Sequence, residues 1–159
     1  MTKRMKMKNK FWTRNYTKMD EGIYRTVEGN ADEIIAIGRI VKAGFSCSRV
    51  DITNSRYDAV VESGKPGNIL RIQIKGIGGN SFNFTGGGRS GRQIDRTVTQ
   101  KVRKYTKDDC DLMVGITKDK GELYIIPIED IEKMCKSRSL KKLEYYRENW
   151  DILLRIIEN

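Results

Sequence analysis

The chain has 159 residues, enough for one domain with a single sizeable core and too few for two. Hydrophobic residues make up 38% and charged residues 33%, so a folded domain with a heavily solvated surface is expected and disorder is confined to the N-terminus. The net charge of +10 favours a polyanionic partner, nucleic acid first, while the absence of histidine excludes Ser-His-Asp and Cys-His nucleophiles and His-ligated zinc.

In chain order, residues 1–20 read as a basic arm. Lys3, Arg4, Lys6, Lys8, Lys10, Arg14 and Lys18 carry no acid among them before Asp20, and Phe11, Trp12 and Tyr16 are available for stacking or docking. Residues 21–159 form the domain. Within it the spacing of Ile34, Ile37 and Val41 predicts a helix over Asn30–Lys42, with Asp32 and Glu33 in its first turn and Gly44 as its stop. "FSCSRVDI" reads as a strand, and "YDAVVE" and "ILRIQIKG" as a hairpin closed by "SGKPGN". A Gly-rich segment then leads into a basic stretch in which Ile94, Val98 and Val102 mark a helix. "DLMVGIT" and "ELYIIPI" read as a second hairpin around "KDKG", followed by two helices from about Glu129 and Leu140. Leu140, Leu143, Tyr146, Trp150, Leu153 and Ile157 recur at helical spacing and suit either core packing or an interface.

Cys47, Cys110 and Cys135 include no C-x-x-C pair, so reduced core or half-buried thiols are expected in place of a disulfide framework or zinc knuckle. With neither a signal peptide nor an apolar run of about 20 residues, a cytoplasmic location without membrane attachment is expected. "GIY" at Gly22–Tyr24 lacks a following Tyr-x-Gly, and the Gly-rich segments complete neither a P-loop nor a dinucleotide fingerprint, so no nucleotide cofactor is expected.

The first hairpin carries the chemistry. Strand alternation sends Ile72 and Ile74 to one face and Arg71, Gln73 and Lys75 to the other. A turn centred between Lys65 and Pro66 makes residues whose numbers sum to 131 face one another, which sets Asp58 opposite Gln73. Asp58, Gln73 and Lys75 then converge, with Glu62 further along the same face. A carboxylate, an amide oxygen and a neighbouring backbone carbonyl suit hard Mg2+, and Lys75 supplies a cation for a developing hydroxide or pentavalent phosphate.

Asp58, a turn, and Gln73-Ile74-Lys75, preceded by a helix containing Glu33, resemble the PD-(D/E)XK, or restriction-endonuclease-like, nuclease superfamily in a variant with Gln in place of the second acid. The resemblance runs from about Gly29 to Pro127, and the two hairpins look most like small single-domain nucleases that include bacterial homing endonucleases. It implies a mixed central β-sheet flanked by helices, with an αβββαβ core and C-terminal helices. It also implies Mg2+, with Mn2+ substituting, held by Asp58, Gln73, the Ile74 carbonyl and Glu33, and Lys75 as the catalytic lysine. Two departures stand out: Tyr57 replaces the Pro before Asp58, and neutral Gln73 leaves more of the metal's charge to Glu33.

Between Gly86 and Lys107 the cations Arg89, Arg92, Arg96, Lys101, Arg103 and Lys104 face Asp95 alone, suiting a loop and helix that contact double-stranded DNA. A sequence-specific endonuclease of homing or restriction type is therefore expected, acting as a homodimer or larger symmetric oligomer. The alternatives are a structure-specific nuclease such as a junction resolvase, and a non-catalytic DNA-binding protein on the same fold.

Overall fold

Helix α1 spans Glu21–Lys42 in the computed structural model, which describes residues 15–52, 55–87 and 102–159. It begins well before the Asn30 expected from apolar spacing. Asp20 caps it, its Oδ1 accepting the backbone N–H groups of Gly22 at 2.9 Å and Ile23 at 3.4 Å, and Glu21 occupies the electropositive first turn. Asp32 and Glu33 consequently sit mid-helix. Gly22, Gly29 and Asn30 are weak helix formers, which is why local propensity does not announce the early turns. The buried face is also rotated from the expected one: Asp32, Ala36 and Ile40 are buried, whereas Ile34 and Val41 face solvent. Gly44 stops the helix as expected, at a φ of 101° that disfavours any residue with a Cβ.

Strands β1 (Cys47–Arg49), β2 (Ala59–Glu62) and β3 (Ile69–Ile77) run antiparallel to one another in sequence order. The β2–β3 register pairs Ala59 with Ile72 and Val61 with Leu70, as the turn-centred reading expects. The chain then makes two short pairings outside the main sheet. β4 (Ser81–Asn83) pairs with a later strand, and β5 (Thr85–Gly86) pairs with β6 (Arg103–Lys104). Val102, the last apolar position of the expected helix, is not helical, and residues 103 and 104 are extended in β6. Ile94 and Val98, with Arg89, Arg92, Arg96 and Lys101, lie outside the described residues, as do residues 1–14 of the basic arm.

The second expected hairpin forms from β7 (Leu112–Thr117) and β8 (Leu123–Pro127), and β7 docks parallel to β3. The result is a mixed five-stranded sheet in the order β1-β2-β3-β7-β8 flanked by helices. β7 is buried along its whole length, which matches its apolar run Leu112–Ile116, with Thr117 a buried polar residue at its end. One sheet face packs Ile72, Ile74, Val114 and Ile125 against Ala36 and Ile40 of α1. The opposite face packs Met113, Tyr124 and Ile126 against Phe82, Phe84 and Leu143.

The C-terminus is more broken than two helices. It comprises α2 (Ile128–Glu132), β9 (Ser137–Ser139), which partners β4, a 3-10 helix (Leu140–Tyr146) and α3 (Trp150–Glu158). Glu148 interrupts the helical run with a φ of 51°. Its carboxylate accepts both arms of Arg39 from α1, at 2.6 and 2.8 Å, and the Leu123 N–H at 2.6 Å, offsetting the strained backbone. Leu143 and Leu153 are buried, and Tyr146, Trp150 and Ile157 pack against the core, so this apolar stripe serves core packing. Cys110 is a buried free thiol and Cys47 a half-buried one, but Cys135 is exposed, unlike the expected half-buried set. Among the described residues no helix is long and apolar enough to cross a membrane.

Gly115 is tightly packed within the second core layer. A Cβ there would lie 2.6 Å from Ile77 Cδ1 and 2.6 Å from the Phe82 ring. Gly115→Ala is expected to destabilise the fold by about 1–3 kcal/mol through overpacking, read as a lower urea midpoint at an unchanged m-value.

Candidate active site

Asp58 stands one residue ahead of β2, where its N–H still reaches the Ile72 carbonyl at 2.8 Å. There the β2–β3 ladder ends, and the side chain takes over: Asp58 Oδ2 accepts the Ile74 backbone N–H at 2.7 Å. The same oxygen accepts Gln73 Nε2 at 2.5 Å, and that nitrogen also lies 3.3 Å from the Ile74 carbonyl oxygen. Asp58 and Gln73 are therefore brought together on the sheet face away from Ile72 and Ile74. No described residue donates a hydrogen bond to Asp58 Oδ1. Burial raises the Asp58 pKa to about 6; the charge of Glu33 adds to the rise, while the Ile74 N–H, Arg49 and Lys75 oppose it.

Lys75 shares that face and is half-buried, not sealed in the interior. Its Nζ donates to the Thr85 carbonyl of β5 and lies 5.6 Å from the centre of the Tyr105 ring. Desolvation lowers its pKa, and the nearby Asp58 charge counters part of that shift. Glu33, on α1, is tied by a 3.0 Å ion pair to Arg49 of β1, whose guanidinium also bonds Asn30. Glu33 acts on Asp58 through its charge, and no hydrogen bond joins the two carboxylates. Glu62 pairs with Ile69 at the far end of the hairpin and is exposed.

Asp32 adjoins Glu33 but serves the opposite side of β3. It is buried, its Oδ2 accepts no hydrogen bond among the described residues, and the nearest cation is Lys118 at 3.8 Å, itself ion-paired to Glu28 at 2.5 Å. Burial raises its pKa to about 6. A Cβ at Gly76 would lie 2.2 Å from that oxygen, so the carboxylate rests against bare strand backbone directly after Lys75.

Arg103 and Lys104, the described members of the expected DNA-contacting set, are engaged within the chain. Arg103 grips Asp109 with both arms, at 2.8 and 2.6 Å, and Lys104 Nζ donates to the carbonyls of Glu132 at 2.9 Å and Met134 at 2.5 Å. Sequence reasoning did not single out Thr85, Tyr105 or Arg49. Nothing in their local pattern marks them, since each reaches the site through pairing distant in sequence. A cleft of about 170 Å3 opens beside Gln73 and Tyr105, whereas a larger groove of about 530 Å3 between Leu70, Pro127 and α3 contains none of the candidate residues.

A family model described as PD-(D/E)XK endonuclease matches residues 25–150. The fold is similar to a solved structure titled as that of a bacterial homing endonuclease, I-Ssp6803I. That likeness has a TM-score of 0.62 at 21% sequence identity and covers 82% of this chain and 93% of the other. No curated protein sequence matches the chain.

Proposed function

Because the chain belongs to the PD-(D/E)XK endonuclease family, we propose that it is a metal-dependent endonuclease that hydrolyses phosphodiester bonds in double-stranded DNA, using a Gln-x-Lys form of the motif. The observation that carries this reading is Asp58. It is a desolvated carboxylate with a pKa near 6 and one oxygen bonded to Gln73 and Ile74, and it shares its sheet face with the Lys75 ammonium.

The donor set fits a hard divalent cation. Asp58, the Ile74 carbonyl, Glu33 and the amide oxygen of Gln73 would each offer an oxygen to it. Gln73 now presents Nε2 to Asp58, and a half-turn of its amide exchanges nitrogen for oxygen. Among the described residues no group of three or more His, Cys, Asp or Glu is placed to hold a metal ion, so the proposed site draws on the neutral Gln73 amide and a backbone carbonyl as well as carboxylates. When bound, Mg2+, or Mn2+ in its place, supplies Lewis acidity and a more acidic bound water. Asp58 and Glu33 would provide the negative charge that holds it, and Gln73 would orient it without adding charge. Lys75, fixed by the Thr85 carbonyl and Tyr105, stabilises the negative charge that develops during attack on phosphorus.

One such site cuts one strand, so a double-strand break calls for two sites, which a symmetric homodimer supplies. The likeness to a homing endonuclease fold favours a sequence-specific enzyme of homing or restriction type. Supercoiled plasmid incubated with Mg2+ or Mn2+ is expected to become nicked and linear, and EDTA to prevent it. Binding without cleavage under every divalent metal would leave a DNA-binding protein in place of a nuclease. Glu33→Gln is expected to raise the Mg2+ concentration for half-maximal cleavage by about 10-fold or more, measured by metal titration at saturating enzyme.

A further inference from the structure

The cleft beside Gln73 is walled by two guanidinium groups that share one carboxylate. Asp109 is fully buried. Its Oδ2 accepts Arg103 Nη1 at 2.8 Å and the Thr106 N–H at 3.0 Å, and its Oδ1 accepts Arg103 Nη2 at 2.6 Å. Arg56 Nη1 stands 3.7 Å from that already occupied Oδ1, beyond hydrogen-bond distance, with 62% of its side chain exposed. The lining thus sets two guanidiniums against one carboxylate, and its other residues, including Ser55, Gln73 and Tyr105, are neutral. Gly86 keeps one wall free of a side chain, since a Cβ there would lie 2.4 Å from the Tyr105 hydroxyl. The cleft is continuous with the candidate active site through two residues: Gln73 lines it and bonds Asp58, and Tyr105 lines it while its ring faces Lys75.

We infer that this cleft is a phosphate subsite, in which Arg56, backed by the Arg103–Asp109 pair, binds a backbone phosphodiester neighbouring the one attacked at Asp58. The inference rests on the nuclease reading and deepens it. An anion there meets a guanidinium whose fork no described residue engages in a hydrogen bond, and Arg favours phosphate through paired N–H donors. Asp109 keeps the second guanidinium rigid. Arg56 therefore contributes register along the duplex, acting as a positioning residue for the strand to be cut.

The test is equilibrium binding of the full chain to a 30-base-pair duplex in EDTA, across a range of salt. Each phosphate contact contributes a slope of about 0.9 in log affinity against log salt. Arg56→Ala is expected to flatten the slope by about that amount, Arg56→Lys to retain it, and Arg25→Ala, an exposed change on α1, to leave it unaltered. Among the described residues Arg56 makes only a long, solvated ion pair, so its removal is expected to leave the thermal midpoint unchanged. Arg103 is unsuited to the test because its loss strands the buried Asp109 charge. An Arg56→Ala slope equal to the wild type, in a protein that still binds and cuts duplex DNA, overturns the subsite alone. A wild-type chain that neither binds nor cuts overturns the subsite together with the nuclease reading.

Discussion

Asp58→Asn is expected to slow single-turnover cleavage by about 1,000-fold or more while leaving duplex binding intact and making the metal-free protein more stable at neutral pH. The kinetic loss follows from removing a carboxylate that bonds Gln73, lies near Lys75, and has one oxygen to which no described residue donates a hydrogen bond. The gain in stability follows from the same burial. The Asp58 pKa rises from an ordinary unfolded value near 4 to about 6 in the folded protein. The folded state thus binds more protons between those limits, and the stability this group contributes at low pH is lost as pH rises through 6. At pH 7 the charged form costs about 2–3 kcal/mol relative to an unshifted group. Asparagine carries no charge, and its side-chain oxygen can still accept the Ile74 N–H. Urea unfolding in EDTA is therefore expected to show a higher midpoint for the variant at pH 7.5 and a much smaller difference at pH 4. Some pH dependence remains in the variant, because Asp32 is raised to about 6 by its own burial. Mg2+ is expected to raise the melting temperature of the wild type and not of the variant. Wild-type cleavage by Asp58→Asn would remove Asp58 from the reaction altogether.

Lys75→Met is expected to lower cleavage by about 100-fold or more and to move the acid limb of the pH–rate profile upward. The first effect is the loss of a fixed cation where charge develops. The second comes from the ground state: Lys75 holds the Asp58 pKa down, so its removal lets that carboxyl rise further. The variant should need higher pH to deprotonate Asp58 and bind metal. Lys75→Arg should not rescue, because Nζ sits in a half-buried slot between the Thr85 carbonyl and the Tyr105 ring, which a planar guanidinium does not fit. Rates measured from pH 5 to 9 at fixed Mg2+ distinguish these outcomes. An unmoved acid limb would mean that Lys75 and Asp58 do not interact in the active enzyme.

Much of this site is legible along the chain. A short turn rich in Gly and Pro, flanked by two alternating runs, sets a hairpin register in which slipping one residue would turn Ile72 and Ile74 to the wrong face. Asp58 and Gln73 meet for that local reason, and the types Asp, Gln and Lys on one face already suggest oxygen-ligated metal chemistry. The apolar run of β7 and its hairpin with β8 are readable in the same way.

What the tertiary structure alone decided lies where partners come from far away. β3 and β7 pair in parallel across a long crossover, and no local periodicity encodes that union. It is the β5–β6 pairing that carries Tyr105 to Lys75. The facing of α1 is set by the sheet it covers, so Asp32 goes inside while Ile34 and Val41 go outside, against their hydropathy. A basic residue in sequence shows a charge without its counter-charge: Arg103 spends its fork on buried Asp109, whereas Arg56, which no motif distinguishes, is left with charge to spare. Local backbone preference and side-chain alternation thus determined which chemical groups this chain can gather on one strand face, and only long-range packing decided which of its cations remain available to a ligand.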